Sequence, residues 1–111
     1  MASKYQAILA LADKQARDIS ASVPAYTRFL TTAGNNYKYS FQDQLLIHAQ
    51  KPEATACATL EKWNELGRWI NRHTKGIALM ADSTTPYRLR YVFDISDTNS
   101  YAGNVVRRWA M

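Results

Sequence analysis

Gly67-Arg68-Trp69-Ile70-Asn71-Arg72-His73-Thr74-Lys75-Gly76-Ile77-Ala78-Leu79-Met80-Ala81 is the stretch in which the chain changes period. Before Gly67, apolar residues recur every three or four positions, as on a helix with one buried face. After it they alternate, as on a strand. Arg68 to Arg72 reads as a short strand, His73 to Gly76 as a turn and Ile77 to Ala81 as a second strand, so residues 68–82 predict a β-hairpin. Pro86 lies in the loop that leads to a third strand at 88–96. There Leu89, Tyr91, Phe93 and Ile95 alternate with Arg88, Arg90, Val92 and Asp94, which predicts a greasy face toward the helices and a partly basic outer face.

Working back from Gly67, four helices are expected. Ser3 and Gln6 have capping-box spacing, followed by Tyr5, Ile8, Leu9, Ala12, Ala16 and Ile19 at helical intervals. Ser22 caps a second helix with Pro24 in its first turn and Tyr26, Phe29, Leu30 and Ala33 as its apolar face; Gly34-Asn35-Asn36 stops it. Ser40 caps a third, with Asp43 near its positive end and Phe41, Leu45, Leu46 and Ala49 as the buried stripe, before Pro52 breaks it. Thr59 caps a short fourth helix through Leu60, Trp63 and Leu66, and Gly67 stands where a left-handed residue closes it. Helices followed by strands predict an α+β domain: about four helices on one face of a small antiparallel sheet of about three strands.

With 111 residues the chain is one small domain, and at 47% apolar it can close a single core without metal or disulfide. Cys57 is its only cysteine, which fits a reducing compartment. The N-terminal stretch has no secretory pattern and no run approaches the ~18 apolar residues of a membrane span, so a cytoplasmic protein without a membrane partner is expected. Fourteen basic against nine acidic side chains give +5. Arg68, Arg72, Lys75, Arg88 and Arg90 against Asp82 alone place +4 of this between positions 68 and 90, the electrostatic footprint of a polyanion binder or of an Arg-rich solvated surface.

Chemistry-bearing spacings are missing: no Gly-rich phosphate loop, no HExxH and no second cysteine for a zinc knuckle. His48, Cys57 and His73 fall on three predicted elements, so no metal or cofactor is expected, and His48 reads as a core-edge residue. Asp94 and Asp97 read as caps of the following turn rather than cation ligands. Binding is better supported. Single strands are held by basic grooves and by aromatic faces that stack bases. Trp69 lies between Arg68 and Arg72 and, on the hairpin expected here, on the side of Arg88 and Arg90; the alternative is a packed hairpin tryptophan. Tyr37-Lys38-Tyr39 interleaves aromatics and charge in the same way, or supplies hydrogen-bonded groups at the core edge. In the turn His73 to Gly76, Lys75 and the amides around Gly76 are candidate phosphate contacts.

Tyr39, Ser40, Phe41, Gln44, Leu45, Leu46, then Trp63, Gly67, Arg68, Trp69, Ile70, Arg72, Lys75, Gly76 and the closing Arg90-Tyr91-Val92-Phe93-Asp94-Ile95 resemble the N-terminal domain of ArdC-type antirestriction proteins. The chain is more similar still to the version of that domain at the front of large helicase- or methylase-like proteins of bacterial conjugative elements. The resemblance implies a non-catalytic single-stranded DNA-binding module, with the family's Gly-x-x-hydrophobic-basic-x-x-Lys-Gly core on Gly67, Ile70, Arg72, Lys75 and Gly76. It also implies C-terminal partner domains, with residues 1–98 as the module and 99–111 as a tail leading toward them. Full ArdC proteins have a metallopeptidase-type second half that this chain lacks, so no enzymatic role is carried over. Spacing does not separate DNA from RNA. A docking domain using the same basic stretch, and a hydrolase using Asp43, Asp94, Asp97 or His73, are the competing expectations.

Overall fold

The computed structural model describes residues 3–80 and 88–100; Ala81, Asp82, Pro86 and the 101–111 tail with Trp109 lie outside the described residues. Each helix begins where a hydroxyl satisfies an otherwise orphaned amide. In α1 (Lys4–Ile19) the Ser3 hydroxyl accepts from the Gln6 amide and the Gln6 side chain from the Ser3 amide, both at 3.1 Å. Ser22 caps α2 (Val23–Asn35), Ser40 caps α3 (Phe41–Gln50) and Thr59 caps α4 (Leu60–Glu65). Each such cap stabilises by about 1 kcal/mol. Gly67 follows α4 at φ 80°, the left-handed conformation that glycine adopts without a Cβ penalty.

The expected class is what the structure shows: four helices with a small three-stranded antiparallel sheet. In that sheet β1 (Cys57–Ala58) and β3 (Ile77–Met80) flank β4 (Leu89–Asp94), with Ile77 opposite Val92 and Cys57 opposite Asp94. Strand pairing departs from the predicted hairpin. β2 (Arg68–Ile70) does not pair with β3 but with β5 (Thr98–Ser100), forming a separate two-stranded ribbon in which Trp69 faces Asn99. The reason lies in the connection. The Asn71 amide donates to the Asp97 carbonyl at 2.9 Å and the Thr74 amide to the Asn71 carbonyl, so the turn carries the chain from one sheet to the other rather than folding it back. Its left-handed residue is His73, at φ 65°, and not Gly76.

Two predicted faces are also revised. On β4 the buried residues are Val92, packed in the core, and Asp94, held by the 55–56 amides, while Tyr91 and, just past the strand, Ile95 are exposed. Alternation was legible, but of its polar members Asp94 is buried with partners while Arg90, still exposed, reaches back to the buried Asp43. On α2 the inward residues are Phe29 and Thr32, whereas Tyr26 and Leu30 are each 49% exposed, and Phe41 at the start of α3 is exposed too. Thr32 tolerates burial because its hydroxyl donates to the Pro52 carbonyl at 2.7 Å and contacts His48 Nδ1 at 2.9 Å. The main core joins Ile8 and Ala12 of α1, Leu46 and Ile47 of α3, Ile77 and Leu79 of β3 and Val92. Burying each large aliphatic side chain among these contributes about 1.5–3 kcal/mol.

Candidate nucleic-acid interface

The ribbon is built by alternation. Arg68 and Ile70 share the half-buried side of β2, and Trp69 leaves from the other side, where it is 41% exposed. Arg68 holds the ribbon together: its Nε donates to the Thr98 hydroxyl at 2.6 Å and its Nη2 to the Thr98 carbonyl at 3.2 Å. Of the predicted anion contacts it is therefore one that is committed to internal bonding. Arg72, His73 and Lys75 are exposed along the turn that follows, and among the described residues neither Arg72 nor Lys75 has an ion-pair partner. Gly76 serves close approach. A Cβ there would stand 3.2 Å from Tyr91 Cβ and 3.3 Å from Phe93 Cε2, so glycine lets the turn lie flat on β4.

Below the turn opens a cleft of about 550 Å³, with His73, Thr74 and Lys75 on one side and Lys51, Glu53 and Asp97 on the other. It carries both signs. Lys51 lies 3.3 Å from Asp97 and 3.9 Å from Glu53, which leaves Lys75 as the cation at its rim without an acidic partner among the described residues.

The other predicted residues are on the main sheet and its flank, not beside Trp69. Arg90 Nη2 donates to the buried Asp43 carboxylate at 2.7 Å, its Nε to the Met80 carbonyl at 3.0 Å, and its guanidinium lies 5.8 Å from the Tyr39 ring centre. Tyr39 in turn donates to the Cys57 carbonyl at 2.8 Å. Arg90 and Tyr39 thus fasten α3 and β1 to the sheet. Arg88, Tyr37 and Lys38 are exposed, Tyr37 at 73%. The expected placement of Trp69 beside Arg88 and Arg90 is corrected by the strand pairing: they belong to different sheets.

Groups suited to other chemistry are held in structural roles. Burial pushes the Cys57 thiol up to about 12, so it stays protonated. His48 is buried, stacks edge-on against Phe29, and is lowered from its ordinary value by burial and by Arg28. Asp94 accepts from the amides of Thr55, Ala56 and Ser96 and from the Ser96 hydroxyl, the capping role expected of it. Among the described residues no group of three or more His, Cys, Asp or Glu side chains comes together, and no helix is long and apolar enough to cross a membrane.

Two residues on the exposed side of the ribbon escaped the sequence reading. Asn99 stands opposite Trp69, and its Nδ2 donates to Asn71 Oδ1 at 2.6 Å. Neither is charged or aromatic, and Thr98-Asn99-Ser100 has no apolar alternation to mark a strand, so only pairing with β2 reveals them.

Four capped helices, a three-stranded antiparallel sheet and a tryptophan-bearing ribbon followed by a basic turn define a small α+β domain that presents a ribbon and turn to solvent. The chain belongs to the family of the N-terminal domain of anti-restriction factor ArdC, whose model matches residues 6–103. It is thus a domain of antirestriction type. Neither a curated protein nor a solved structure matches it.

Proposed function

We propose that this domain binds single-stranded DNA without catalysing a reaction, as a module of a mobile-element protein of the conjugation or antirestriction type. The observation that carries the reading is the grouping, within residues 69–75, of an exposed indole with two exposed cations that have no acidic partner among the described residues. Trp69 stacks a base, a contact worth about 1–3 kcal/mol, while Arg72 and Lys75 take flanking phosphates. Arg68 acts from behind by fixing the ribbon. Arg88, Tyr37 and Lys38, exposed on the main sheet and its flank, are further candidate contacts apart from this group, and Arg90 with Tyr39 fastens the main sheet. The C-terminal domains of a longer parent protein are the partners that such a module would guide to DNA.

Titration with a short oligonucleotide at low salt tests this. Trp69 emission is expected to be quenched, with the change lost in Trp69→Phe, and the log-log salt slope is expected to fall by about 0.7 for each of Arg72→Ala and Lys75→Ala. Micromolar protein that shows neither quenching nor binding at low salt sinks the reading. A protein-docking role is favoured by one separate observation: Val23, Tyr26 and Leu30 form an exposed apolar stripe along α2, Val23 being 79% exposed. Docking through that stripe would survive Arg72→Ala and Lys75→Ala unchanged.

A further inference from the structure

We propose that the ribbon reads base identity: the amide pair Asn71 and Asn99 offers one hydrogen-bond donor and one acceptor to the edge of a nucleobase stacked on Trp69. The inference rests on the single-stranded DNA reading above and goes beyond it, because a stacking platform alone accepts every base. Asn99 is the direct cross-strand partner of Trp69, so the two side chains leave the ribbon on one side with Cβ atoms about 4.5–5.5 Å apart. A base in contact with the indole lies about 3.5 Å above it, within reach of the neighbouring amide. Asn71, just past β2, is drawn to the same side by its 2.6 Å bond with Asn99.

That bond also fixes what is left over. One N–H to carbonyl contact between two carboxamides leaves a carbonyl on one and an NH₂ group on the other, whichever way each amide is turned. Side-chain amides use that donor and acceptor combination on base edges. Asn99 is exposed and Asn71 half-buried, so the pair is open to a ligand from solvent.

Binding of dA, dC and dT homopolymers of about 12 nucleotides, followed by anisotropy at low salt, tests the proposal. Wild type is expected to separate the best from the worst by at least about fivefold, the lower end of what base-edge hydrogen bonds discriminate. In Asn71→Ala/Asn99→Ala the spread should fall below about twofold while the weakest homopolymer is bound within about twofold of wild type. Asn99→Ala alone, at an exposed site, gives the same collapse if the double variant is unstable. Equal binding of all three by wild type, or a spread that persists in the variants, overturns base reading and leaves DNA binding standing. Binding of none overturns both.

Discussion

Asp94 carries a buried charge at the end of β4, 1% exposed and held by four donors. Burial by itself raises its carboxyl. The hydrogen bonds from Ser96, Ala56 and Thr55 outweigh that and hold it below the ordinary 3.8. The unfolded chain therefore takes up this proton at higher pH than the folded one. The stabilisation is fully present above about pH 4 and is lost as pH falls through the folded value. Asp94→Asn places a donor where donors already converge, and is expected to cost at least about 2 kcal/mol at neutral pH. Urea unfolding across the acid range should show a shallower pH dependence in the variant; an unchanged acid limb would show that the charge is not what these donors hold. The same logic explains Arg90. A cation on a strand reads as outward, but the buried Asp43 and the Met80 carbonyl give it an inward partner.

At the scale of elements, β3 is an edge strand that is closed by side chains. With Ile77 and Leu79 bonded toward β4, Ala78 and Met80 direct their backbone groups the other way. Gln50 on α3 accepts from the Ala78 amide at 3.0 Å and donates to its carbonyl at 2.9 Å, as a neighbouring strand would, and Asp43 lies 3.4 Å from the Met80 amide. An open edge is a template for self-association. Gln50→Leu keeps the volume and leaves both Ala78 groups unsatisfied, so a loss of about 2 kcal/mol is expected. Amide exchange at Ala78 should rise selectively and sedimentation should show concentration-dependent association. Unchanged protection at Ala78 would mean that another group covers the edge.

For the whole molecule, the consequence of the two-sheet arrangement is that the candidate interface depends on the far end of the described chain. The expected boundary at 98 cuts through β5, which pairs with β2, supplies Asn99 and anchors Arg68 through Thr98. A chain ending at Asp97 should keep exchange protection across Ile77–Met80 and lose it across Arg68–Ile70, since the two ladders are separate. Protection retained at 68–70 would show that α4 alone holds β2.

The sequence by itself determined the four helices and the strands at 68–70, 77–80 and 89–94, but not β1 or β5. Helix starts, the left-handed stop at Gly67 and the strand period after it depend on contacts within a few residues, and Ser3, Ser22, Ser40 and Thr59 all cap as their spacing requires. The motif around Gly67 to Gly76 likewise carried the family. Only the tertiary structure decided which strands pair, which face of β4 is buried and which candidate residues stand together. Those depend on partners 30 or more positions away: Thr98 for Arg68, Asp43 for Arg90 and the Thr55 and Ala56 amides for Asp94. A polar residue's direction is set by whether such a partner exists, and local periodicity contains no information about it.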